Sequence, residues 1–306
     1  MIFFVLTWWI INEFEKLSAT TAIVFIVIFA LEAAVIIIGN MFVICAFKTQ
    51  LRLDLKRTCL LLINLAAADL LVGVGEVVVL ITHKISGTGI GLLKLSFAFQ
   101  AFGSCTSLMF LALISLERVY AVFWPLRHRV TSSRAYIFSI VIVWAAGLCN
   151  GGLNMLTVYR SQVDSIYATV VGDLLLFCSL AVICSSYLSI RTRLHATTPE
   201  LQVPHSRSSR EQNLRLSKTF YIVVAVSLSF WLPGFVVYNI YAFCWSCFSP
   251  MLLWIVNALH LANSMVNPFV YSSRMKIFQD SLKKCWKKRQ QDIELGALPV
   301  NRQRRR

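Results

Sequence analysis

Seven predominantly apolar stretches of about 20 or more residues follow one another along the chain, each long enough to cross ~30 Å of hydrocarbon as a helix. They lie at Thr21–Phe47, Cys59–His83, Leu92–Phe123, Tyr136–Leu156, Ile166–Ile190, Thr219–Phe243 and Pro250–Ser272, the third and fifth running past the hydrocarbon as amphipathic turns. An open strand edge in lipid leaves backbone groups unsatisfied, so all seven are expected to be helices. The expected fold is an all-α membrane protein, a seven-transmembrane helix bundle. After Tyr271 the pattern changes. Ile277, Phe278, Leu282, Cys285 and Trp286 recur at helical spacing between Lys276, Lys283, Lys284, Lys287 and Lys288. This predicts a short cytoplasmic amphipathic eighth helix on the inner leaflet, its lysines toward anionic membrane lipid. A solvated basic tail is the alternative. The chain thus divides into an extracellular N-terminus (1–20), a seven-span domain (21–272), and the amphipathic helix with a basic cytoplasmic tail (273–306).

Composition changes the picture only by excluding other classes. With 58% hydrophobic and 14% charged residues and a mean hydropathy of +0.70, the chain is too apolar for a soluble domain. Placing the N-terminus outside leaves only Lys16, Lys84, Lys94 and Arg160 of the 29 basic residues on the outer side. That asymmetry sets an outside N-terminus and an inside C-terminus. The +15 net charge is then a topology and lipid-surface signal, and no nucleic-acid partner is expected. The apolar decamer Ile2–Ile11 lacks a basic n-region and a small-residue cleavage site, and fits an interfacial segment better than a signal peptide. Thr192–Ser217, with Pro199, Pro204 and several Ser and Thr, reads as a flexible inner loop. No internal repeat supports the inverted halves of a transporter. No His-Glu-x-x-His or Gly-x-Ser-x-Gly supports an intramembrane hydrolase, and no enzyme activity is expected.

Polar signatures interrupt the apolar runs in a fixed order: Gly39-Asn40, Asn64-Leu65 with Asp69, Glu117-Arg118, Trp231-Leu232-Pro233, and Asn267-Pro268-Phe269-Val270-Tyr271. An Asp or Arg at a helix centre costs roughly 2.5–3.5 kcal/mol on the insertion scale, so these groups mark function. Glu117 supplies a carboxylate able to hold Arg118, which distinguishes that arginine from a snorkelling cation. Pro233 and Pro268 each remove a backbone donor and are expected to kink their helices. Trp231, two residues before the first kink, is large enough to sense what fills the cavity above it.

This set, over Thr21 to Trp286, resembles the rhodopsin-like (class A) G-protein-coupled receptors, with Trp144 matching the fourth-span tryptophan. The resemblance implies a plasma-membrane receptor that binds an extracellular ligand and activates a heterotrimeric G protein, with arrestin as a further partner. It implies activation through Glu117, Arg118, Tyr187, Trp231, Pro233, Asn267, Pro268 and Tyr271, with Tyr187 and Tyr271 meeting near Arg118. It also brings together Asp69, Ser107, Asn263, Ser264 and Asn267, an oxygen set suited to an allosteric sodium ion. A neutral Asp69 in a water-bridged network is the other reading. Cys285 takes the place of a palmitoylation site.

Several family features are missing. The second acid that holds the arginine falls on Asn213, with Glu211 nearby. The loop-to-helix disulfide has Leu93 at its third-span position, and no Cys lies between Cys149 and Cys178. Ser179 stands for the fifth-span proline, and Ser227 and Phe230 for the residues upstream of Trp231. This layout resembles the melanocortin, lipid and adenosine receptor cluster. Cys244 and Cys247 are candidates for a local bridge in an oxidising exterior.

The ligand end is less informative. Amine receptors carry an Asp where this chain has Gln100, and opsins a Lys where it has Leu261. The pocket candidates are Glu76, Gln100, Ser104, Asp173, Tyr238, Asn257 and His260. Glu76 with Asp173 would make the pocket negative, favouring a cationic peptide or small molecule; a Glu76 paired with Lys84 or His83 is the competing arrangement. A lipid- or nucleoside-sensing receptor remains an alternative. A transporter using Glu32, Asp69 and Glu76 as a relay is a remote one, because it has no need of the Glu117-Arg118 pair.

Overall fold

The structure is a computed structural model that describes residues 18–48, 56–84, 90–159, 162–196, 222–237, 239–240, 249–274 and 278–280, with 244, 247, 283 and 290. Its helices are α1 (Ala19–Lys48), α2 (Lys56–Lys84), α3 (Ile90–Phe123), α4 (Pro125–Val130), α5 (Ser133–Tyr159), α6 (Gln162–Ala196), α7 (Ile222–Val237) and α8 (Pro250–Arg274). All seven expected spans coincide with a helix, and no strand occurs among the described residues. α1, α2, α3, α5 and α6 are each long and apolar enough to cross a membrane. The described part of α7 is shorter, and α8 carries Asn257, His260, Asn263, Ser264 and Asn267 among its apolar residues.

Two differences from expectation stand out. α6 extends by a turn at either end beyond the predicted Ile166–Ile190, because a helix continues past the apolar window where nothing breaks it. The connection between α3 and α5 contains α4, which the hydropathy pattern does not announce. Pro125 opens it, its fixed φ and missing donor suiting a first helical position.

α3 sits at the centre. In its apolar window 67% of the residues are buried, against 22% in that of α1, and it packs on α2, α5 and α6. The outer faces are apolar too: Ile23, Val27, Leu31, Ile38 and Phe42 of α1 are exposed, as a lipid-facing surface requires. Without a hydrophobic drive between helices in lipid, close approach of small residues holds such a bundle. Gly147 of α5 shows it: a Cβ there would lie 2.0 Å from Thr106 Oγ1 of α3. One turn below, Trp144 Nε1 donates to Asn64 Oδ1 of α2 (2.9 Å) and its ring lies against Phe102 and Phe110.

Pro268 sits inside α8. Lacking an N–H, it leaves the Ser264 carbonyl, one turn back, without its helical donor. Asn40 Nδ2 of α1 donates to that carbonyl at 3.1 Å, so the first-span asparagine repairs the seventh-span backbone. Gly39 makes room: a Cβ there would lie 2.9 Å from the Pro268 ring. Beyond α8, residues 278–280 are helical, with Phe278 buried against Phe47 (5.8 Å between rings) and Gln279 Nε2 donating to the Ser272 carbonyl. Cys285 and most of the expected amphipathic helix lie outside the described residues.

Candidate functional site

The buried polar residues form three groups along the bundle axis. At the inner end, Arg118 is 2% exposed, and its Nε and one terminal nitrogen donate to both oxygens of Glu117. That nitrogen also donates to Thr58 Oγ1 of α2 (2.8 Å). Glu117 Oε1 accepts from His128 Nε2 of α4 (2.9 Å), and Thr58 Oγ1 lies 3.3 Å from it. The predicted pair is thus a cluster of four side chains from three helices. Thr58 and His128 escape the sequence reading, since nothing in their local pattern marks them; Pro125 is the one signal that a helix would carry His128 toward Glu117.

Tyr187 lies beside Arg191, 3.5 Å from its guanidinium. The Tyr271 hydroxyl is buried with no hydrogen-bond partner, its ring edge-on to Phe47 at 6.2 Å. The two tyrosines expected to meet near Arg118 are therefore not hydrogen-bonded to each other in this arrangement. Asn213 and Glu211 lie outside the described residues.

In the middle group Asp69 is fully buried. Ser107 Oγ of α3 donates to its Oδ1 (2.6 Å), Asn267 Nδ2 of α8 donates to its Oδ2 (2.8 Å), and Ser264 is in hydrogen-bonding reach. Asn263 Oδ1, next to Ser264 in the chain, is buried with no hydrogen-bond partner. Of the oxygen set named for sodium, Ser107 and Asn267 thus meet the Asp69 carboxylate, and a carboxylate with hydroxyl and amide groups is hard-donor chemistry of the kind a small cation takes. Asn267 departs from expectation by turning its NH2 toward Asp69, which makes it an orienting donor. No cluster of three His, Cys, Asp or Glu residues exists among the described residues, so a zinc-type centre finds no support.

Above this, Trp231 of α7 meets His260 of α8 edge to face, with centroids 4.2 Å apart, and its Nε1 has no hydrogen-bond partner. His260 therefore connects the outer half to the tryptophan. In the outer group, Gln100 Nε2 of α3 donates to Glu76 of α2, and both are buried. Glu76 thus has Gln100 as a partner; the side chains of His83 and Lys84, its partners in the competing arrangement, lie outside the described set. Ser104 is buried one turn below Gln100, Asn257 and Asp173 are half-buried, and Tyr238 is outside the described residues. Glu32 of α1, read from the sequence only as part of a relay, is half-buried, and one of its oxygens is buried without a hydrogen-bond partner. Phe25 and Phe29 of α1 pack against Trp254 of α8, with rings 5.5 and 5.6 Å away. Cys244 and Cys247 form a disulfide.

The family description "7 transmembrane receptor (rhodopsin family)" matches residues 39–271. Among curated proteins the chain is similar to octopamine receptor beta-1R of Drosophila melanogaster, at 25% identity over 88% of this chain and 63% of that protein. It is 28% identical to somatostatin receptor type 5 of Bos taurus, over 86% of this chain and 76% of the other. Cannabinoid receptor 2 of Mus musculus is 25% identical, over 90% and 86%. The chain spans less than two thirds of the octopamine receptor's length and larger shares of the other two.

Proposed function

Because the chain belongs to the rhodopsin family of seven-transmembrane receptors, we propose that it binds an extracellular cationic ligand and activates a heterotrimeric G protein at its inner face. The observation that carries the ligand reading is the Glu76–Gln100 bond. Relatives named for octopamine, somatostatin and neuropeptide FF suggest amine or peptide ligands. Gln100 occupies the place of the amine-binding Asp, but it touches a carboxylate that reaches over from α2. The negative charge is moved to the neighbouring helix, where a ligand ammonium or guanidinium can meet it. Charge of one sign in a low-dielectric cleft raises the local concentration of its counter-charge. His260 against Trp231 then gives such a ligand a route to the α7–α8 contact.

At the inner end, Arg118 released from Glu117 and Thr58 becomes a donor for the G protein. Asp69, Ser107, Ser264 and Asn263 would hold a sodium ion, which would supply a positive charge to balance Asp69 and so favour the resting packing. The receptor sits in the plasma membrane with its N-terminus outside, as the distribution of basic residues favours.

The test is a G-protein dissociation panel in transfected cells, screened against amines, peptides, lipids and nucleosides, followed by Glu76→Gln. A cationic agonist should lose roughly ten- to a hundred-fold in potency on that substitution, as expected for a buried charge-assisted contact. Activation by uncharged lipids or nucleosides with no dependence on Glu76 would replace this ligand reading with the alternative one.

A further inference from the structure

Glu117 is shared between Arg118 and an imidazole on α4, and the two differ in exposure. The Glu117 side chain is 3% exposed and that of Arg118 2%, whereas the His128 side chain is 20% exposed at the inner rim. Protons from the surrounding water therefore reach His128 and not the pair. The carboxylate is acceptor-only when ionised, so the hydrogen on that contact belongs to His128 Nε2 in either charge state of the ring.

α4 is fastened around this contact. Arg57 of α2 donates to the His128 backbone carbonyl, and its guanidinium lies over the Tyr136 ring of α5 (5.6 Å). Tyr120 of α3 lies edge-on to the imidazole (5.9 Å) and bonds Thr131 (3.1 Å), whose backbone N–H and hydroxyl both donate to the Arg127 carbonyl. The titratable or charged groups around His128 are thus Glu117, Arg118 and Tyr120 on α3, Arg57 on α2, Tyr136 on α5 and the exposed Arg127 on its own helix. The side chain of Arg129 is outside the described set. Arg193 of α6 sits over Phe123 instead (5.7 Å). Of these groups, Glu117 alone is acidic.

We infer that His128 is a positioning residue for coupling: its imidazole holds Glu117, and its charge sets how readily Arg118 is released. The inference rests on the G-protein reading above. When Arg118 leaves, Glu117 stays behind as a buried carboxylate. A neutral imidazole leaves that charge uncompensated; an imidazolium balances it and strengthens the hydrogen bond. Protonation of His128 therefore lowers the cost of the active arrangement, and acidification on the inner side raises ligand-independent signalling.

The experiment uses the full chain in lipid nanodiscs without ligand. Receptor-dependent guanine-nucleotide exchange is followed on a panel of purified heterotrimers from about pH 8 to about pH 6, the range in which histidine residues change charge. Wild type should rise about five-fold toward the acid end, the difference between a neutral and a charged hydrogen bond. His128→Tyr keeps a donor but carries no charge in this range, and should give a flat profile. His128→Arg should be high at both ends. A flat wild type, or the same slope in His128→Tyr, overturns the inference. A second arm needs no G protein: an environment-sensitive dye on Val130→Cys, exposed on α4, should show a pH step that His128→Tyr removes. If no heterotrimer responds at any pH, the coupling reading fails while the dye still decides the role of His128; a dye signal independent of residue 128 overturns it.

Discussion

Arg118 shows how much a single side chain can be asked to carry. A guanidinium at 2% exposure in the bundle is tolerable because Glu117 and Thr58 take its hydrogens, and breaking such a buried pair costs about 3–5 kcal/mol. On the proposed mechanism that cost holds the resting arrangement, and activation would have to recover it from contacts with the G protein. Arg118→Ala should abolish nucleotide exchange while surface expression stays near wild type, because the Glu117 carboxylate left behind still accepts from His128 and Thr58; agonist-driven exchange in that variant would sink the mechanism. Asp69 is the second test at this scale. Raising NaCl with choline as the replacement, at constant ionic strength, should weaken agonist binding in wild type and leave Asp69→Asn unaffected. An equal sodium effect in both would place the ion elsewhere. The acid–arginine pair and Asp69 were legible in the sequence because a charge in an apolar run stands out, whereas the partners of Asp69 came only with the family resemblance. Thr58 and His128 were not, because a threonine at a helix end and a histidine in a loop cost nothing until a fold puts them beside Glu117.

At the scale of elements, the seven spans were legible because hydrocarbon thickness fixes their length, whereas their ends were not, because a helix can outlast its apolar window, as α6 does at Gln162 and Ala196. The contacts between helices were also hidden. Gly39 and Asn40 read as a motif, yet only the structure shows the glycine admitting the Pro268 ring and the asparagine capping the carbonyl which that proline frees. Along α5 the glycines divide sharply. Gly147 faces Thr106 at a separation no Cβ can occupy, while nothing lies within 4 Å of a Cβ built on Gly152. Gly147→Val should therefore separate α5 from α3 and sharply reduce the folded receptor reaching the surface, and Gly152→Ala should leave it unchanged. Surface immunostaining of tagged variants, with thermal unfolding in detergent for those that express, checks both. Equal yields would mean that α5 is held by something other than close approach to α3.

At the scale of the whole molecule the charge is lopsided, and with the N-terminus outside, as proposed, the inner side would hold both most of the cations and the hydroxyls on which shut-off would depend. The receptor class was legible here, since composition, seven windows and the order of motifs all constrain one architecture. The ligand was not, because the outer pocket depends on which side chains face one another, as Gln100 and Glu76 do. The distribution of hydroxyls leads to the last prediction. From Leu282 to Arg306 there is no Ser or Thr, so receptor kinases cannot build in that segment the anionic cluster that arrestin reads. The inner acceptors are densest instead in the third inner loop, at Thr192, exposed near the end of α6, and at Thr197, Thr198, Ser206, Ser208, Ser209 and Ser217 beyond it in the sequence. Each phosphate there would add about −1.5 to −2 charge beside Arg207 and Arg210 and supply new acceptors for a basic partner surface. Deleting residues 290–306 should then leave arrestin recruitment unchanged, and alanine at all seven loop positions should suppress it, both read as arrestin translocation after stimulation. The reverse pattern would return shut-off to the tail and leave the loop hydroxyls as solubilising groups.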